Sequence, residues 1–147
     1  MFDIIVDIDG TIANNKHRSH FVQEKPKNWV KYKSLLNLDL VYWDIIKVLN
    51  VLRYAGSRLV LCTGRDEDER DDTEKWLRRN NIDTMFRKMY MRTAKDNRPD
   101  YVIKKELLVK IREDGYNPSL VFDDRQSVVD MWRAEGLRCL AVQAGNF

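Results

Sequence analysis

Apolar residues in this chain gather in short runs that end in polar residues. Between those runs they return every three or four positions. Ile4, Ile5 and Val6 are β-branched and predict a buried central strand, with Gly10 placed to turn the chain soon after. Further strands are expected at residues 58–62, 120–122 and 137–142, and a weaker one at 85–91. Helical spacing marks residues 43–55, where Ile45, Ile46, Val48, Leu49 and Leu52 recur before a stop at Gly56. The same spacing predicts a helix carrying Trp76 and Leu77 that ends near Asn80. It predicts two more, over 101–113 before Gly115 and over 127–135 before Gly136. Strands alternating with helices imply an α/β fold with a mostly parallel sheet and helices on both faces.

Residues 13–40 interrupt that alternation. They read as an insertion too short for a separate domain, a small flap beside the sheet. Its first part, to His20, is polar and basic and reads as a loop. Residues 28–36 predict a short helix with Trp29, Tyr32 and Leu36 on one face. Core packing and stacking on a nucleic-acid base are both open to Trp29 and Tyr32. The 147 residues suffice for one domain with a core. At 44% hydrophobic and 33% charged residues, a folded chain is expected rather than a disordered one, and no apolar run reaches the length of a membrane span. Acids at Asp3 and Asp7 argue against a signal peptide. Cys62 and Cys139 lie in apolar runs and read as reduced thiols, so a cytoplasmic location is expected. A net charge of +3 neither demands nor excludes a nucleic-acid partner.

The chemistry sits where the strands end. Asp7 and Asp9 close the first, Thr63, Gly64 and Arg65 the second, Asp123 and Asp124 the fourth. A parallel sheet brings such ends to one edge, where open α/β sheets bind ligands. Lys104, with Asp100 ahead of it, comes on the helix after the third strand. Carboxylates so crowded keep their charges only if a cation joins them. Carboxylates, a hydroxyl and cations together describe a phosphoryl-transfer site with Mg²⁺, which prefers oxygen ligands. The set has no histidine or cysteine, which disfavours zinc. No Gly-x-x-x-x-Gly-Lys-Ser/Thr occurs, which excludes a P-loop. The acidic run 66–72 reads as the start of a helix answering its dipole.

Asp7-Ile8-Asp9-Gly10-Thr11, Thr63-Gly64-Arg65, Lys104 and Asp123-Asp124 resemble the four motifs of the haloacid dehalogenase superfamily of phosphatases. The segment from Asp123-Asp124-Arg125-Gln126 to Met131-Trp132-Arg133, with Gln143-Ala144-Gly145-Asn146-Phe147, is similar to the 3′-phosphatase domain of phage polynucleotide kinase/phosphatase. The resemblance covers nearly the whole chain, without that family's kinase half. It implies a Rossmann-like three-layer α/β/α sandwich with a minimal cap. It also implies a Mg²⁺-dependent 3′-phosphatase acting on DNA or RNA 3′-phosphate ends, 2′,3′-cyclic ends included, in functional partnership with a separate kinase or ligase. Asp7 would be the nucleophile and form an aspartyl-phosphate, and Asp9 the proton donor and acceptor. Thr63 and Lys104 would bind phosphoryl oxygens. Asp7, the backbone carbonyl of Asp9, Asp123 and Asp124 would hold Mg²⁺. Arg18, Arg65 and Asp100 stand where the family has further functional residues, and Asp100 is expected to orient Lys104 one helical turn on. Bland alternatives stand beside these: Arg18 as a solvated charge, Arg65 paired with the acidic run, Asp100 as a helix cap, and Lys105 in place of Lys104. A mononucleotide phosphatase of the same superfamily is the alternative function. A binding module without turnover would have lost a motif carboxylate or Lys104, and none is missing.

Overall fold

The computed structural model describes residues 2–144. Gly145, Asn146 and Phe147, part of the resemblance at the C-terminal end, lie outside the described residues. The chain opens with β1 (Asp3–Val6) and then enters the insertion. This holds β2 (Ala13–Asn14), α1 (Lys16–Gln23), α2 (Trp29–Ser34), a 3-10 turn at Leu36–Leu38 and β3 (Leu40–Val41). Alternation then resumes with α3 (Trp43–Tyr54), β4 (Arg58–Asp66), α4 (Arg70–Arg79), β5 (Phe86–Arg92) and α5 (Asp100–Glu113). It ends with β6 (Pro118–Asp123), α6 (Gln126–Ala134) and β7 (Arg138–Ala141).

Five strands form one parallel sheet in the order β5-β4-β1-β6-β7. Because successive strand side chains point to opposite faces, β1 feeds two cores. Ile4 and Val6 pack with Leu59, Leu61 and Met91 on one face, against Leu49 of α3 and Trp76 of α4. Ile5 packs with Val60, Cys62 and Val121 on the other, against Leu107 and Ile111 of α5 and Val129 and Trp132 of α6. The result is the expected three-layer α/β/α arrangement. No helix among the described residues is long and apolar enough to cross a membrane.

Register explains why the strand ends meet. Val6 of β1 lies level with Leu61 of β4 and with Phe122 of β6. The next residues, Asp7, Cys62 and Asp123, therefore emerge side by side, and the Asp7 amide continues the ladder to the Phe122 carbonyl at 3.0 Å. Thr63 and Arg65 are not in a loop after the second strand, as expected, but within it. Pairing of Thr63 with Met91 and of Asp66 with Arg92 carries β4 on beyond the end of β1.

The insertion departs most from expectation. Antiparallel pairing of β2 with β3 closes its neck. The basic stretch expected as a loop is helical from Lys16 to Gln23, with Arg18 fully buried. The helix expected over 28–36 ends at Ser34, and Asn28 caps it by accepting a hydrogen bond from the Lys31 amide. Its supposed single face is split: Leu36 joins the core, Tyr32 is partly covered and Trp29 is 51% exposed.

Candidate active site

Two charge clusters sit at the C-terminal edge of the sheet, one on each side of the turn after β1. Gly10 makes that turn at φ +80°, and a Cβ there would lie 2.6 Å from Cγ of Asp124. Only glycine lets the first motif and the Asp123-Asp124 pair approach so closely.

The first cluster joins Asp7, Asp123 and Asp124, all buried, with one oxygen from each within 4.8 Å of the others. Lys104 bridges two of them, its Nζ donating to Asp7 Oδ1 and to Asp123 Oδ2, each at 2.8 Å. Thr11 donates its hydroxyl to the other Asp7 oxygen at 3.1 Å. Asp123 also accepts from the Asp124 amide at 2.8 Å and from Trp132 Nε1 at 3.1 Å. Burial, then the neighbouring Asp123, pushes the Asp7 carboxyl well above its ordinary range, against the pull of Lys104. The same two causes push Asp124 up to about 6. Burial alone would lower the Lys104 ammonium, but Asp123 and Asp7 outweigh it and hold the charge on. With all three carboxylates ionised, the one ammonium of Lys104 would leave an excess of two negative charges in a buried space, which is why protons are held more tightly here. That charge deficit and the all-oxygen donor set fit a divalent hard cation such as Mg²⁺.

The second cluster is balanced. Arg65 grips Asp9 with two bonds, Nε to Oδ2 at 3.1 Å and Nη2 to Oδ1 at 2.7 Å. Arg18 reaches Asp9 Oδ1 at 3.0 Å. Both arginines also bind Asp39, a residue that sequence reasoning passed over. Arg18 holds its two oxygens at 2.8 and 2.7 Å, and Arg65 reaches Oδ2 at 3.2 Å. Thr73 accepts from Arg65 Nη1 at 3.1 Å, and His17 lies 2.7 Å from Asp39 Oδ1. Burial would raise the Asp9 carboxyl, but Arg65 and then Arg18 override it and hold it below the ordinary value. Asp7 and Asp9 therefore differ in proton affinity although they stand two residues apart. The Asp9 carboxylate is also outside the three-acid group.

The bland alternatives can now be judged by position. Arg18 is buried, not solvated. Arg65 pairs with Asp9 and Asp39, while Lys33 takes Asp66 of the acidic run at 2.6 Å. Lys105 points away and pairs with Glu135 at 3.0 Å. Thr63 is buried beside Arg65 and accepts its amide at 3.1 Å. Asp100 needs correction on two counts. It is the first residue of α5 after the N-cap Pro99 and makes no cap hydrogen bond. Nor does it hydrogen-bond Lys104: its carboxylate pairs with Arg92 and with Arg125 Nη1, the latter at 3.1 Å. Gly64 makes room for it, since a Cβ there would meet the Asp100 carboxylate at 2.7 Å. Trp132 is fully buried, its indole N–H on Asp123. A signal for Asp39 did exist. Apart from Glu24 it is the sole acid among six cations in residues 13–40, and any arginine buried there needs a counter-ion.

A parallel sheet covered on both faces, with its carboxylates at the switch from β1 to β4 and β6, is the haloacid dehalogenase-like fold. One solved structure of that class, a haloacid dehalogenase-like protein from Streptococcus pneumoniae, superposes with a TM-score of 0.66 at 11% identity, covering 96% of this chain and 84% of that one. Residues 3–147 match the family model described as the polynucleotide kinase PNKP phosphatase domain, and the chain belongs to that family. A chain in the structure of the Pnkp1/Rnl/Hen1 RNA repair complex is 34% identical with a TM-score of 0.83, covering 99% of this chain and 43% of that one. A protein of Autographa californica nuclear polyhedrosis virus, described as a bifunctional polynucleotide kinase/RNA ligase, is 27% identical over 131 residues. The match takes in 88% of this chain and 17% of the viral protein. The chain thus spans less than half the length of these relatives.

Proposed function

We propose that this chain is a Mg²⁺-dependent polynucleotide 3′-phosphatase that works through an aspartyl-phosphate on Asp7. One observation carries the reading: a nucleophile-type carboxylate, Asp7, shares a buried pocket with Asp123, Asp124 and Lys104 in a chain that matches the phosphatase-domain family over residues 3–147. Asp7, Asp123 and Asp124, with the Asp9 backbone carbonyl, would hold the ion. When bound it offsets the charge of the carboxylates and of the phosphoryl oxygens, so that two anions can meet.

Asp7 attacks phosphorus in line, and the bond from phosphorus to the sugar O3′ breaks as the new one forms. Asp9 supplies the proton that O3′ takes. Asp9 is ionised in the free protein, and the dianionic phosphate arriving beside it raises its affinity for that proton. In the second half Asp9 removes a proton from water, the water oxygen attacks phosphorus, and the bond to Asp7 breaks. Lys104 has a third N–H, and the Thr63 hydroxyl keeps its hydrogen while accepting from Arg65, so each has a donor for a phosphoryl oxygen. The product is a 3′-hydroxyl, the group a nucleic-acid ligase needs. A partnership with a separate kinase or ligase follows from that chemistry and is in keeping with the RNA repair complex in which a similar chain is found.

Phosphate release from matched oligonucleotides with 3′-, 5′- and 2′,3′-cyclic phosphates, and from a 3′-mononucleotide, tests the reading with and without EDTA. Release from the 3′-phosphorylated strand, abolished by EDTA, is expected. A strong preference for the mononucleotide would replace it with a small-molecule phosphatase.

A further inference from the structure

The flap carries more positive charge than the whole protein. Residues 13–40 hold five lysines and Arg18 against Glu24 and Asp39, a balance of +4 where the full chain has +3. Arg18 is spent on Asp9 and Asp39, and Lys33 on Asp66. The other four, Lys16, Lys25, Lys27 and Lys31, are exposed, and none forms an ion pair among the described residues. Among them stands Trp29, 51% exposed although large aromatics are ordinarily well covered. Its indole has two neighbours. Tyr32 meets it edge-on at 5.8 Å between ring centroids, and Lys27 Nζ lies 5.7 Å from the ring centre. Tyr32 in turn lies under the Arg18 guanidinium at 4.1 Å, with Asn15 donating to its hydroxyl at 3.0 Å. Arg18 binds Asp9. A short chain of contacts thus joins the exposed indole to Asp9 at the edge of the sheet.

We infer that the flap is a binding subsite for an unpaired strand: Trp29 stacks on a base close to the 3′ end, and Lys16, Lys25, Lys27 and Lys31 take the phosphates beside it. The inference deepens the 3′-phosphatase reading and rests on it for the position of the strand's end. An aromatic platform within a lysine-rich surface matches single-stranded nucleic acid, whose bases offer a free face and whose backbone offers regularly spaced charge. Val30, Leu38 and Leu40 of the flap are exposed as well, but a docked protein would need a continuous apolar surface of several hundred Å², whereas four lysines without ion pairs among the described residues lie in the same segment as Trp29 and suit a run of phosphates. A paired base would keep its face inside the stack, so the subsite should favour single-stranded over blunt ends.

The test uses a 3′-phosphorylated single strand of about ten nucleotides, within the range of known single-strand site sizes. A 3′-mononucleotide and a generic aryl phosphate serve as small substrates. For Trp29→Ala, KM on the strand should rise on the order of tenfold, and Trp29→Phe should restore most of the loss. Joint replacement of Lys25, Lys27 and Lys31 by alanine should lower the slope of log KM against log salt by about 2. Hydrolysis of the two small substrates should stay within about twofold of wild type, on the same footing. An unchanged KM on the strand overturns the inference. So does an equal loss on all three substrates, because the flap would then act only by holding Arg18. Fluorescence anisotropy of the same labelled strand separates this from the enzymatic reading. Wild-type binding that depends on Trp29, with no phosphate release, would sink the phosphatase and leave the flap standing; release indifferent to Trp29 and the lysines would sink the flap alone.

Discussion

Replacing Asp124 by asparagine should stabilise the metal-free protein near neutral pH, although it removes a residue from the centre of the candidate site. Burial and Asp123 raise the Asp124 carboxyl from 3.8 to about 6. Between those values the unfolded chain has released the proton while the folded one still holds it. Raising the pH through this window therefore destabilises the folded state, and the loss is complete above about pH 7. A rise of roughly two units corresponds to about 3 kcal/mol. Asparagine has nearly the same shape and cannot ionise, so it avoids that loss. Asp9 and Asp3, whose carboxyls are held low by Arg65 and Arg58, contribute in the opposite sense in both proteins and cancel in the comparison. Thermal unfolding in EDTA near pH 7.5 should place Asp124→Asn about 5–10 °C above wild type, and the two should converge near pH 4. Mg²⁺ should raise the wild-type midpoint and narrow or reverse the gap, because it binds the folded state and offsets the crowded charge. If the variant melts at or below wild type in EDTA near pH 7.5, the uncompensated negative charge assigned to this pocket is not there.

Three other outcomes follow from the same geometry. Asp7→Asn should abolish phosphate release while circular dichroism shows an unchanged fold, and release at the wild-type rate would refute its role as nucleophile. Gly10→Ala should cost about 1–3 kcal/mol in denaturant unfolding and blunt the stabilisation by Mg²⁺, because the new Cβ collides with Asp124 and the backbone is at positive φ. Asp39→Asn leaves two buried arginines sharing the single carboxylate of Asp9. Unfolding should show a loss of about 3 kcal/mol, with a larger fall in kcat than a control outside the Asp39 network such as Lys105→Ala.

Much of this architecture is written locally. β-branched runs, helical spacing and stops at Gly56, Gly115 and Gly136 mark the regular elements, because side-chain periodicity and backbone preference act over a few residues. Asp7 and Asp123 are legible for the same reason: each directly follows an apolar strand, and parallel pairing must bring such positions to one edge. The tertiary structure decided what those rules cannot reach. It divided the acids into a two-charge deficit around Asp7 and a neutral group around Asp9, a matter of which cation arrives from 9, 56 or 97 residues away and which way it points. Arg18 and Asp39 meet across the flap, Lys104 crosses from α5, and Asp100 turns to Arg92 and Arg125 instead of toward Lys104. α1 forms around a buried arginine that hydrophobic patterning reads as solvent-facing. Ion pairs of this kind depend on side chains distant in sequence and on burial that only the assembled sheet provides, so no local pattern announces them.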